Sequence, residues 1–155
     1  MEEKKDSQTP EQRLQEAGIT LLPVPKFGLY VPVTVVGNLA YTSGQVPLLE
    51  DGTMMKGKLG DGVELEAGRA AARQCGIMML SALHARVKRV IKLTGFVNCT
   101  PDFEQQPAVI NGCSELMKEI FGEENGAHAR SAVGSNALPL GITCEVEGIF
   151  EIYSV

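Results

Sequence analysis

The chain contains no tryptophan, two histidines and four cysteines, and no apolar run near the roughly 20 residues that cross a bilayer. Each shortage excludes something. With aromatics at 5% of the composition, no row of rings is available on which successive bases stack. Cys75, Cys99, Cys113 and Cys144 lie far apart and form no Cys-x-x-Cys pair, so neither a zinc site nor a disulfide scaffold is indicated and no metal is expected. A Cys-His dyad with His84 or His128 has no support in the spacing. The opening Met1-Glu2-Glu3-Lys4-Lys5-Asp6 lacks the apolar stretch of an export signal, and the expectation is a cytoplasmic protein without a membrane partner.

Positive charge is short as well. Against 19 acidic residues stand 14 Lys and Arg, a net charge of -5, so nucleic-acid phosphates meet overall repulsion. The densest basic cluster, Arg86, Lys88 and Arg89, reads as a solvated helix-to-strand junction. A length of 155 residues suits one domain, 1–155, with 1–22 as an accessory N-terminal extension.

Within that extension Thr9 caps a short helix that starts at Pro10 and ends at Gly18. Pro23, Pro25 and Pro32 then keep Ile19 to Val33, with Tyr30, extended. Val33 to Val36 and Leu39 to Ser43, joined by Gly37-Asn38, read as a hairpin. Gly44 after it either lets backbone approach a ligand or marks a bulge. Leu49 to Gly62 has no clear period and reads as a long loop with room for another short strand inside it.

A helical pattern runs from Val63 to Val87 with Leu65, Ala72, Cys75, Met79, Leu83 and Val87 on one stripe. The strand Val90 to Cys99 puts Ile91, Leu93, Gly95, Val97 and Cys99 on one side. A second helix, Gln106 to Phe121, buries Val109, Cys113, Leu116, Met117 and Ile120, stops at Gly122, and leaves Asn111 off its apolar stripe. This order predicts an α+β domain, one sheet with both helices on one face. The other face, carrying Tyr41, Phe96 and Ile149, is left uncovered and points to self-association.

The chemistry concentrates after His128. Arg130 stands among Ala129, Ser131, Ala132 and Val133, a run too small and apolar for a solvated basic surface. After the turn Leu138-Pro139-Leu140-Gly141 comes a strand, Ile142 to Ile152, whose alternation puts Glu145 and Glu147 opposite its apolar side. Strands joined by a short connection are expected to be neighbours, which brings Arg130 within reach of one of these carboxylates. Two readings follow: a structural cross-strand ion pair, or a guanidinium fork and a carboxylate arranged to bind a carboxylate ligand and move a proton beside it.

Ala129-Arg130-Ser131-Ala132-Val133, Leu138-Pro139 and Glu145-Val146-Glu147, with Tyr30, the Gly37 to Gln45 hairpin and Phe96-Val97 through Asn111 upstream, resemble the signature of the YjgF/YER057c/UK114 superfamily. Also called the Rid, or reactive intermediate deaminase, family, it often carries the label endoribonuclease L-PSP. The resemblance implies a chorismate-mutase-like fold, one mixed sheet with two main helices on one face, assembled as a homotrimer with clefts between subunits. It further implies cofactor-independent hydrolysis of 2-imino or 2-enamino acids to 2-oxo acids and ammonia. Arg130 is then the clamp for the substrate carboxylate and Glu145 orients water and carries protons, while Tyr30, Ser43, Gly44, Asn111 and Ala132 shape the cavity. Ala132 stands where many deaminating members have cysteine, and the N-terminal helix and long loops resemble a less characterised branch. A ligand-binding or protein-protecting trimer without turnover is the alternative, and a ribonuclease or translation inhibitor fits the charge less well.

Overall fold

The computed structural model describes residues 7–26, 28–84 and 86–154. Met1 to Asp6, on which the reading of an absent export signal rests, lie outside them. Helix α1, Pro10–Glu16, is closed by a reciprocal cap: Gln12 N donates to Thr9 Oγ1 at 3.2 Å and Thr9 N donates to Gln12 Oε1 at 2.9 Å. Leu14 anchors this helix in the core. Strands β1, Val33–Val36, and β2, Leu39–Thr42, form the expected hairpin, with the left-handed freedom of its turn used at Gly37 (φ 61°).

The segment from Leu49 to Gly62 is a tethered strap rather than an open loop. Short strands β3, Lys58–Leu59, and β4, Gly62–Val63, pair within it. Bridges from Lys56 to Ile142 and from Leu59 to Cys99 fasten it to the body, and Lys58 Nζ donates to Asn98 Oδ1 at 2.7 Å and to Asn136 O. Helix α2 is Leu65–Leu83, shorter at both ends than the apolar period indicated. Val63 belongs to β4, and the chain turns at His84 (φ 50°) so that Val87 opens the next strand instead of completing the helix.

Strand β5, Val87–Asn98, is an interior strand of the sheet. A register shift between Val90 and Lys92 puts Val90 and Leu93, three residues apart, both in the core, and takes Ile91 off the alternation expected for it. Helix α3, Gln106–Gly126, is broken at Gly122 (φ 84°), where sequence placed its end; one further turn follows. After β6, Ala129–Ser135, and a single 3-10 turn at Pro139–Gly141, strand β7, Cys144–Ile152, completes the fold.

The sheet runs in the order β1-β2-β7-β5-β6, antiparallel except for the β5–β6 pair, so it is mixed. This corrects the expected pairing of the arginine and glutamate strands. Strand β5 lies between them, because β5, α3 and β6 form a parallel crossover unit and segment 136–143 passes over the end of β5 to reach β7. A short connection does not distinguish an adjacent strand from the next but one, about 10 Å away. Helices α2 and α3 cover one face, and Met79, Leu93, Ile110, Leu116 and Phe150 fill the core between the layers. All four cysteines are free and buried. Tyr41, Val133 and Val36 remain exposed on the opposite face, beside Phe96 and Ile149. Among the described residues no helix is long and apolar enough to cross a membrane.

Candidate functional site

Arg130 is in register with Leu93, a core residue, so its side chain turns toward the helical face. There α3 receives it along one stripe, Pro107, Asn111 and Ser114, spaced by four and three residues. Nη1 donates to Asn111 Oδ1 at 2.7 Å and to Ser114 Oγ at 3.1 Å, and Nη2 to the Pro107 carbonyl at 3.4 Å. All three acceptors are neutral. Among the described residues Arg130 makes no ion pair, so the structural cross-strand pair with Glu145 or Glu147 is absent within the protomer. Nε–H and one Nη2–H remain, two donors of the guanidinium that these bonds do not use.

His128 continues the same cluster. Its Nε2 lies 2.9 Å from Ser114 Oγ and its Nδ1 2.6 Å from the Gly126 carbonyl oxygen. Burial pushes its pKa below the ordinary histidine value, helped by the Arg130 and Lys118 charges and opposed by the Gly126 carbonyl. Sequence reading considered His128 only for a dyad with cysteine and passed over Ser114. The i, i+3 spacing from Asn111 to Ser114 is the signal that pairs them.

Glu145 sits on the other side. It is in register with Phe96, and Phe96 with Val133, residues of the face away from the helices. Here a cleft of about 370 Å³ opens, walled by Val24, Pro25, Pro32, Val46, Leu140 and Ile142, with Tyr30, Lys26, Gln45 and Glu145 supplying polar atoms. Burial, and then the neighbouring Glu147, push the Glu145 carboxyl above the usual glutamate range. Leu140, 60% exposed at the lip, adopts φ 62°, rare for a bulky side chain. Sequence patterning offered no signal for that role. Ser43 does not line the cleft: its hydroxyl donates to the Val31 carbonyl at 2.6 Å and so holds the Tyr30 segment in place.

Gly44 is where the backbone must pass beneath the glutamate. A Cβ at residue 44 would lie 2.0 Å from Glu145 Oε1 and 2.7 Å from Cδ. Because those atoms end a movable side chain, Gly44→Ala is expected to change the melting temperature little but to displace the carboxylate. At unchanged fold by circular dichroism, a shifted Glu145 side chain in a crystal structure of the variant is the expected result.

The predicted site residues therefore divide into two half-sites. Arg130, Asn111 and Ala132 belong to the helical side of β6, whereas Tyr30, Gly44 and Glu145 belong to the cleft on the opposite face, with Ser43 behind it. One protomer does not bring Arg130 and Glu145 together. Among the described residues no group of three or more His, Cys, Asp or Glu side chains is placed to hold a metal ion.

The family model described as Endoribonuclease L-PSP matches residues 23–152. Protein TCP17 of Trypanosoma cruzi is 43% identical over 129 residues, covering 79% of this chain and 81% of its own. Among solved structures, the Agrobacterium tumefaciens protein Atu1372, of unknown function, is 39% identical and superposes with a TM-score of 0.85 over 96% of both chains. A candidate endoribonuclease from Shewanella oneidensis MR-1 is 33% identical, with a TM-score of 0.88 over 94% of this chain and all of its own. The arrangement they share is the chorismate-mutase-like fold.

Proposed function

The chain belongs to the endoribonuclease L-PSP (YjgF/UK114) family, and from that premise we propose that it hydrolyses 2-imino or 2-enamino acids to 2-oxo acids and ammonia without a cofactor. The observation that carries this reading is Arg130: a half-buried cation held by three neutral acceptors, with two donors left for a carboxylate. A structural arginine in such a place is expected to carry a carboxylate partner from its own chain.

In this reading the substrate carboxylate lies on the Arg130 edge, which sets the C=N carbon before Glu145. The raised pKa suits Glu145 to both halves of the reaction. Water adds to the C=N carbon as one of its protons passes through Glu145 to nitrogen; Glu145 then takes the carbinolamine hydroxyl proton and returns it to the amine, so that C=O forms as the C–N bond breaks and ammonia leaves. Since Arg130 and Glu145 occupy opposite faces of one sheet, the complete site requires a second copy of the chain. The exposed face around Tyr41, Phe96 and Ile149 supports self-association, and a homotrimer with a cleft at each subunit boundary fits both demands. We place the protein in the cytoplasm.

The test uses imino acids generated in place by an amino-acid oxidase. Acceleration of their disappearance is expected; a rate equal to buffer removes the deaminase reading and leaves a carboxylate-binding trimer. With turnover, kcat/KM is expected to fall on the acid side with a midpoint above the ordinary glutamate value of about 4.3. Glu147 is a like charge that raises the Glu145 pKa, so Glu147→Gln lowers it and moves the midpoint to lower pH. A pH profile unchanged in that variant means another group is the base. RNA cleavage that survives loss of Arg130 and vanishes on further purification belongs to a contaminant.

A further inference from the structure

We propose that Ser114 and His128 are positioning residues for Arg130: hydrogen bonds running from the guanidinium through Ser114 and His128 to the Gly126 carbonyl decide which edge of the fork meets a carboxylate. The inference rests on the reading of Arg130 as the carboxylate clamp. At 2.6 Å from a carbonyl oxygen, His128 Nδ1 must carry a proton, since two facing lone pairs repel. In the neutral ring Nε2 is then the acceptor. The Ser114 hydroxyl, 2.9 Å away, turns its proton to Nε2 and keeps its lone pairs for Arg130 Nη1 at 3.1 Å. Each bond sets the direction of the next, and with Nη1 held by Ser114 and Asn111 and Nη2 by the Pro107 carbonyl, Nε–H and one Nη2–H are kept for a ligand.

The backbone is shaped to supply the terminal acceptor. The break at Gly122 (φ 84°) redirects α3, and Gly126 then passes so close that a Cβ there would lie 2.7 Å from Lys118 Cα and from the Met117 carbonyl oxygen. Cations face the imidazole from both packed elements, Arg130 on β6 and Lys118 on α3, the latter paired with Glu123 at 3.4 Å. Both favour the neutral ring, so the chain of bonds is intact at neutral pH. Acid reverses it. A protonated Nε2 donates to Ser114, the hydroxyl loses its acceptor, and a second positive charge lies beside Arg130.

Binding of pyruvate, a 2-oxo acid, to the full chain is measured by calorimetry at neutral and acid pH, beside KM and kcat for imine hydrolysis. Ser114→Ala and His128→Ala are each expected to weaken pyruvate binding by about tenfold and to raise KM more than they lower kcat. The double variant is expected to be no weaker than either single one. His128→Gln, whose Oε1 accepts where Nε2 did and does not titrate, is expected to restore affinity and to remove its acid-side loss. Nitrogen-15 spectra should show the Nδ1–H tautomer.

Wild-type affinity in both alanine variants, the Nε2–H tautomer, or a His128→Gln variant as weak as His128→Ala each overturns the inference. Pyruvate binding that follows the expected pattern without imine turnover retains the positioning roles and removes the deaminase reading. Turnover indifferent to Ser114 and His128 does the reverse. A wild type that neither binds pyruvate nor accelerates imine hydrolysis overturns both.

Discussion

Arg130→Ala is expected to lower kcat/KM for imino-acid hydrolysis by about 10³-fold while leaving the fold intact. Two charge-assisted hydrogen bonds to a carboxylate contribute about 1.5–3 kcal/mol each, and at 1.4 kcal/mol per tenfold their joint loss corresponds to roughly two to four decades. Orientation is lost with them, since the carboxylate no longer sets the C=N carbon before Glu145. On the stability side, Asn111 and Ser114 lose a donor, yet both lie on the partly exposed stripe of α3 where water replaces it. A change in stability of less than about 1 kcal/mol is expected. Arg130→Lys separates charge from geometry: a lysine keeps the cation but not the fork, so activity between wild type and alanine is expected. Wild-type rates in the alanine variant would remove Arg130 from the site; a lysine variant as active as wild type would show that charge alone suffices.

The largest stability effect is expected at Gly112. Helices α2 and α3 approach so closely that a Cβ at Gly112 would lie 2.0 Å from the Arg69 carbonyl oxygen and 2.8 Å from its carbonyl carbon. The obstacle is backbone inside a helix, so the two helices must separate. Alanine gains about 1 kcal/mol of helix propensity over glycine. Overpacking against a fixed backbone costs about 3 kcal/mol, and the net effect is destabilisation.

Gly76→Ala is the informative contrast on the facing helix. Its Cβ would meet the ends of movable side chains, Leu116 Cδ2 at 2.8 Å and Cys113 Sγ at 3.0 Å. Those atoms can shift by tenths of an ångström, so the propensity gain nearly offsets the strain. Thermal unfolding at one protein concentration should show Gly112→Ala melting lower by about 4–8 °C and Gly76→Ala close to wild type. Equal melting temperatures would mean that the helices tolerate separation.

Much of this architecture is legible without coordinates. Alternation of apolar residues from Ile142 to Ile152 placed Glu145 opposite the core, since a strand's period of two leaves no other choice. Thr9, Pro10, Gly37 and Gly122 marked boundaries because capping and left-handed backbone are local chemistry. Local signals failed at residues where distant chain decides. Val87 fits the helical stripe, but β7 recruits it into β5, and the irregular pairing near Val90 breaks a period that a single strand would keep.

The site divides along the same line. The residue types that the proposed reaction needs, Arg130 and Glu145, are set by sequence, as is the alternation that buries one side of β7. Which residues surround them is not. Strand order is a long-range choice, made when α3 packs across β5 and carries β6 to the far edge. That choice removes Glu145 from the reach of Arg130 within one subunit. It gives the arginine to Asn111 and Ser114 and puts His128 behind Ser114. Side-chain direction along a strand is local and was readable; which strand lies alongside depends on the packing of the whole layer.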